Sequence, residues 1–207
     1  MDVMDTLLLL YVLLAGGGCW FLRHLYLSGM FQCTVSVDTM PFPKTKIVYK
    51  NYVGPYKNVG GHFEKLLKDI QQVNEKANQF VGIYYDNPET VPEDKCRSTV
   101  AVVCNREASE GIGAGKLVKM GYSTAELKET SSFHSTFPFY GLVSILLGLY
   151  RVYPAVQGAA KEHGKDVTVM IECTRMREHI NDYFGAYGPG TDQFFALVED
   201  RVSKKSN

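Results

Sequence analysis

The sequence has no surplus of either charge: lysine plus arginine number 22, aspartate plus glutamate number 22, and the formal net charge is zero. A protein held to nucleic acid chiefly through phosphates carries a basic excess, so direct nucleic-acid binding is not expected. Cysteine is scarce and odd in number, with Cys19, Cys33, Cys96, Cys104 and Cys173 lacking any CxxC spacing. Neither a disulfide framework nor a zinc ribbon fits that pattern, and free thiols in a reducing compartment are the simplest reading. His24, His62, His134, His163 and His179 are scattered, with no HExxH or close ligand pair, so neither a metal nor another cofactor is expected. No Asn-x-Ser/Thr glycosylation sequon occurs. With 45% hydrophobic and 21% charged residues in 207, the chain reads as one globular domain with a short appendage and not as a disordered or fibrous protein.

What the chain does have is an apolar start. Asp5 and Arg23 bracket an uncharged run from Thr6 to Leu22. At ~1.5 Å per residue that run spans about 26 Å as a helix, close to the about 27 Å hydrocarbon core of the ER membrane. Leu25, Tyr26 and Leu27 extend it, Arg23 can snorkel, and the Gly16-Gly17-Gly18 triplet is tolerated in membrane spans. A signal peptide wants a basic start, and Asp2 and Asp5 stand there instead. Arg23 and His24 on the far flank place that side in the cytosol. The expected organisation is a lumenal N-terminus over 1–5, a transmembrane helix over 6–27 and a linker and lead-in over 28–43. A cytosolic domain over 44–198 and a short polar tail over 199–207 follow. Without residues 1–27 the net charge is +1, so nothing electrostatic draws the domain to anionic lipid.

Past the linker, β-branched and aromatic clusters predict strands over 45–52, 80–85 and 98–104. Between the first two, Asn58 stands as an N-cap before Val59, Phe63, Leu66, Leu67, Ile70 and Val73 at helical spacing. The order β-α-β-β then recurs. A strand over 122–128 and a turn-like aromatic stretch over 132–138 precede Leu142, Ile145, Leu146, Leu149 and Tyr150 at helical spacing. Pro154 opens a second helical piece, broken from the first near Tyr153 and closed by Gly164. Strands over 167–174 and 192–198 complete the second unit. The fold expected is α+β: two β-α-β-β units about a pseudo-two-fold, helices on one face, a concave groove on the other, and one transmembrane helix in front.

The stretch Tyr49-Lys50-Asn51-Tyr52-Val53-Gly54-Pro55-Tyr56 before an amphipathic helix resembles the GyrI-like, SOUL-related family. A second run is similar to an ER-anchored branch of that family, the ER-phagy receptors. It comprises Gly82-Ile83-Tyr84-Tyr85-Asp86-Asn87-Pro88, Val91-Pro92 and Asp94-Lys95-Cys96-Arg97, with Thr136-Phe137-Pro138 and Arg151-Val152-x-Pro154-Ala155 downstream. The resemblance implies the double β-α-β-β fold and a single-pass ER protein with its main domain in the cytosol. It also implies an adaptor role in reticulophagy, with links to the p97 ATPase and to repair of DNA–protein crosslinks. Relatives of this branch capture Atg8-type proteins through an aromatic-x-x-aliphatic motif in a long acidic tail. This chain reads as a short form, with only Glu199 to Asn207 beyond the expected last strand.

The resemblance also puts Glu172 in a ligand groove that meets cationic or hydrophobic small molecules. Simple alternation along the strand puts it on a solvent face instead, and both readings stand. Tyr84 and Tyr85 point to opposite faces, so one enters the core and the other can line the groove. Cys96 reads as a small core residue, and Arg97 as the ion-pair partner of Asp86 or Asp94. Gly111-Ile112-Gly113-Ala114-Gly115-Lys116 fails the phosphate-loop spacing and reads as a flexible loop between halves. No nucleophile or triad is evident, so no catalytic residue is assigned. The alternatives are a hydrolase using Glu172 with Tyr84 or Tyr85, or a tetrapyrrole binder. Phe63–Leu66, Tyr153–Val156, Phe194–Leu197 and Phe195–Val198 match the letters of an aromatic-x-x-aliphatic motif. Each falls in an expected helix or strand, so the chain is expected not to recruit autophagosomes by itself; Atg8-type proteins would be reached indirectly.

Overall fold

The structure, a computed structural model, describes residues 3–32, 34–73, 77–104 and 114–204. It opens with α1 (Val3–Leu27), whose Met4–Leu27 stretch has a mean hydropathy of 1.7 and is not buried against the rest of the chain. One helix is thus long and apolar enough to cross a membrane without packing inside the protein. A second apolar stretch, Leu142–Glu162, has a mean hydropathy of 1.2 and contributes Val152, Val156 and Ala160 to the core, which marks it as part of the domain.

Eight strands form one antiparallel sheet: β1 (Asp38–Thr39), β2 (Thr45–Val53), β3 (Gln79–Tyr84), β4 (Arg97–Val103), β5 (Ser123–Leu127), β6 (Ser132–Pro138), β7 (Val169–Arg175) and β8 (Ile180–Ala186). Their spatial order is β1-β6-β8-β7-β3-β4-β2-β5. The inner six mirror one another about the β3–β7 pair, as β6-β8-β7 against β3-β4-β2, and this is the double β-α-β-β unit. Its helices are α2 (Val59–Gln72) in the first half and, in the second, α4 (Leu142–Leu147) and α5 (Tyr153–Glu162).

Several elements differ from the sequence reading. Ser132–Pro138 is a strand, its Phe133 and Phe137, four apart and so on one face, turned toward the helices, and it opens the second unit. The segment read there, near 122–128, is the edge strand β5 beside β2. The last strand is β8, hidden in the sequence by the turn-like Asn181-Asp182, whose side chains are hydrogen-bonded in place. Residues 192–198 belong to α6 (Asp192–Lys204), a helix that buries Phe194 and Leu197, three apart, with Asp192 in its first turn. Asn58 closes a 3₁₀ turn (Tyr56–Asn58) and makes no capping bond through its side chain. The expected break near Tyr153 is a π-helical segment (Gly148–Val152) joining α4 to α5. Gly164, at φ 62°, ends the helix as expected. Of the expected loop over 111–116, residues 111–113 lie outside the described residues, and Ala114, Gly115 and Lys116 begin a short helix, α3 (Ala114–Lys119).

Alternation along the strands divides the core in two. Ile47, Tyr49, Val81, Ile83, Ala101, Ile171 and Phe184 pack beneath α6. On the opposite face Val48, Phe80, Val100 and Val102 lie under α2, while Phe133, Phe137, Met170 and Tyr183 lie under α5. Each fully buried Val, Ile, Phe or Met among them contributes about 1.5–3 kcal/mol. The face expected to be an open groove is therefore covered by α6, and α2 and α5 flank the seam between the halves on the other face.

Candidate functional site

Glu172 sits in β7 at the seam of the two halves, paired across the ladder with Gly82 of β3. Met170, two residues before it, packs under α5, so Glu172 projects on the helical side between α2 and α5. Gly82 lets two rings close over the floor beside it: a Cβ there would sit 3.1 Å from the ring of Tyr84 and 3.3 Å from Phe63. Tyr84 packs against both helical clusters and is the side chain they share. The phenol of Tyr153, the first residue of α5, donates to Glu172 Oε1 at 2.8 Å. Tyr183 meets the Tyr153 ring edge-on, with centroids 6.0 Å apart. Its phenolic oxygen occupies the space a Cβ on Gly148 would need, at 2.1 Å.

Burial pushes the Glu172 carboxyl up to about 7, against the opposing pull of hydrogen bonds from Tyr153 and Asn181. Glu172 keeps an intermediate solvent exposure although protein atoms surround it on most sides. Burial, then the Glu172 charge, holds the phenols of Tyr84, Tyr153 and Tyr183 far above neutrality, so all three are donors and aromatic surfaces rather than bases. Among the described residues Glu172 has no lysine or arginine partner. The result is a desolvated carboxylate in a ring of tyrosines, suited to a cation with an apolar body.

The structure brings Glu172 and Tyr84 together and sends Tyr85 elsewhere. Tyr85 points to the α6 face, where its hydroxyl lies 2.8 Å from Thr99 Oγ1 and its ring packs on Phe195. Thr99 in turn donates to Asn51, which holds the carbonyl of Leu197 in α6. Tyr153, Tyr183 and Asn181 are site residues the sequence reading missed. The signal near Tyr153 was the helix break before Pro154, which the structure resolves as a π turn, a feature common beside functional sites.

The remaining motif residues form a brace rather than a site. Gly54, at φ 146°, donates to the carbonyl of Cys96 at 2.8 Å, and Pro55 starts the turn that presents Tyr56. The Tyr56 hydroxyl accepts from the Asp86 N–H at 3.0 Å and lies 2.9 and 3.0 Å from the carbonyls of Asp86 and Arg97. Arg97 grips Asp86 through Nε at 2.9 Å, a terminal nitrogen at 2.7 Å and its backbone N–H at 2.7 Å. Burial opposes the Asp86 charge, but these bonds outweigh it and hold the carboxyl below its ordinary range. Asn87 caps the turn before Pro88 by accepting from Glu89 N–H. Pro92 and Cys96 close the hairpin, with the Cys96 thiol buried and pushed up by desolvation. The brace serves the site at one point: the Tyr56 ring meets Tyr84 edge-on at 5.0 Å and steadies it.

Cys173 lies on the α6 face, and burial drives its thiol well above its ordinary value, so it is no nucleophile. No group of three or more metal-ligating side chains occurs among the described residues. An open depression of about 600 Å³ lined by Ser131, Lys165, Asp166, Thr168 and Tyr187 touches none of the residues around Glu172.

Comparisons with known proteins bear on the family and the fold. A family model described as GyrI-like small molecule binding domain matches residues 37–141, ending before β7. Testis-expressed protein 264 of Homo sapiens is 30% identical over 162 residues, 76% of this chain and 47% of that protein. A DNA gyrase inhibitor of Escherichia fergusonii is 31% identical over 110 residues, 50% of this chain and 70% of that protein. The chain spans about half the length of the testis-expressed relatives it matches. An integron cassette protein of Vibrio cholerae shares the fold, with a TM-score of 0.50 at 6% identity over 73% of this chain and 95% of that one.

Proposed function

Because the chain belongs to the family of GyrI-like small molecule binding domains, we propose that it is a membrane-anchored binding protein whose Glu172 site takes a lipophilic organic cation. One observation carries the reading: Glu172, desolvated and ringed by Tyr84, Tyr153 and Tyr183, has no cationic partner among the described residues. Its likeness to Testis-expressed protein 264 supports placing α1 in the ER membrane, N-terminus lumenal and domain cytosolic. The same likeness supports an adaptor role in reticulophagy, with p97 and, indirectly, Atg8-type proteins as partners. Binding is favoured over hydrolysis because no serine, threonine or cysteine nucleophile paired with a base stands beside Glu172 among the described residues.

The test is titration of the full chain in detergent micelles with a rhodamine dye, followed by fluorescence anisotropy. Glu172→Leu protein serves as the blank for partitioning into the micelle. Saturable binding is expected to vanish in that variant while its melting temperature holds or rises, since an apolar group replaces a desolvated charge. The cation binds the carboxylate form. Affinity therefore climbs with pH through about 7 and levels off above it, losing up to about tenfold per pH unit below. Equal binding by wild type and Glu172→Leu would overturn the reading.

A further inference from the structure

A helix of a soluble domain turns its polar residues outward, but the segment from α4 through the π turn turns an apolar stripe outward. Leu142, Ile145, Leu146, Leu149 and Tyr150 recur at i, i+3, i+4, i+7 and i+8. They are 70, 38, 56, 46 and 81% exposed. The inward side carries Ser144, Leu147, Gly148 and Val152, so the segment is apolar nearly all round. No charged residue interrupts Leu142 to Tyr150. Nothing in the domain needs this stripe exposed, and in water it would be a liability for aggregation.

Its position identifies its occupant. Arg151, at the end of the stripe, donates to the carbonyls of Gly29 and Met30 at 3.0 Å each and of Gln32 at 2.7 Å. Ser144 Oγ donates to the carbonyl of Ser28 at 3.2 Å. These are the first residues after α1, so four hydrogen bonds tie the stripe-bearing segment to the end of the apolar helix. The joint is stiff. Gly29 holds φ 84° with the Phe137 ring so close that a Cβ would sit 2.7 Å from it. Phe31, 61% exposed, adds apolar surface on the same turn. Beside the start of α4, Tyr140 stacks on His179 at 4.6 Å, in an exposed turn with Arg177 and Glu178.

We propose that the Leu142–Tyr150 stripe is a second membrane contact, lying in the interface of the bilayer that α1 enters and fixing the domain's tilt on that surface. The proposal rests on the reading of α1 as a membrane anchor. The contact is apolar rather than electrostatic, in keeping with the near-neutral domain. A helix of this kind sinks about 5–10 Å into the headgroup and acyl boundary, and Tyr150 is a residue type favoured at that depth.

The chain carries one tryptophan, Trp20, inside α1, which lets the two claims be read apart. The full chain is reconstituted into phosphatidylcholine vesicles brominated either near the glycerol end or near the tail of the acyl chain. In wild type, Trp20 should be quenched. In Trp20→Phe/Leu146→Trp, emission should shift to the blue and be quenched more by the glycerol-end bromines than by the tail bromines. Trp20→Phe/Val118→Trp, exposed on α3, should not be quenched. Melting temperatures equal to wild type check that both variants fold. Quenching at position 20 with none at position 146 overturns this proposal alone. A blue shift at 146 without bromine quenching also overturns it and assigns the stripe to a protein contact. Absence of quenching at Trp20 overturns the anchor reading and this inference with it.

Discussion

A carboxyl that titrates higher in the folded chain than in the unfolded one costs stability whenever it is charged, and Glu172 is such a group. Unfolded, it ionises near 4.5; folded, burial moves it to about 7. Its native state is therefore relatively most stable below about 4.5 and loses that margin as pH rises through about 7. Glu172→Gln keeps an acceptor for the Tyr153 phenol without the charge. At about pH 8 this variant should be the more stable by up to about 3 kcal/mol, with the difference shrinking to nothing near about pH 4.5. Parallel denaturation curves across that range check it, and a gap independent of pH would show that Glu172 is not held against its charge. Part of this residue's character was legible: a lone carboxylate among Met170, Ile171 and Cys173 announces a conflict. Its partners were not. Alternation shows that Tyr84 and Tyr85 oppose each other, but which one shares a face with Glu172 depends on which side α2 and α5 cover. Tyr153 reaches Glu172 only because α5 crosses β7, a tertiary fact with no local signature.

At the scale of elements, local propensity runs against the fold twice at the C-terminal end of the second unit. Phe194, Phe195, Leu197 and Val198 look like strand residues, yet their burial is set three apart, and Gly188-Pro189-Gly190 before Asp192 supplies a helix start. Ile180–Ala186 failed the other way, since Asn181 and Asp182 fit a strand only when their side chains are bonded, as by Thr174, His134 and Arg175 here. The change of α6 from strand to helix preserves the expectation about autophagy and alters its reason. An aromatic-x-x-aliphatic segment binds by lending its backbone to a sheet edge. In α6 the backbone of Phe195-Ala196-Leu197-Val198 is already bonded within the helix. Freeing it exposes Phe194 and Leu197, each worth about 1.5–3 kcal/mol, and breaks the bond from Asn51. Pull-down of the full chain with an Atg8-type protein should therefore recover nothing above background. Recovery that disappears in Phe195→Ala plus Val198→Ala would contradict this.

At the scale of the whole molecule, the repeat was legible as an order of elements even where its members were misassigned, because two halves of three strands and a helix each bury too little alone. Which face the C-terminal segment covers was not legible, since residues 192–198 have the composition of a strand and fold as a helix on the far side. Topology is testable at this scale. On the proposed topology, with α1 in the membrane and Arg23 and His24 on its cytosolic side, protease added to intact microsomes should digest the domain; full protection of a C-terminal tag would reverse the orientation. Within that frame one short segment joins two distant tasks. Across the π turn and the residue after it, Gly148 receives the Tyr183 phenol, Arg151 holds the turn after α1, and Tyr153 holds Glu172. On the two proposals above, a guest that displaced Tyr153 from Glu172 would act two residues away from Arg151, so the ligand site and the turn after α1 share one short piece of backbone.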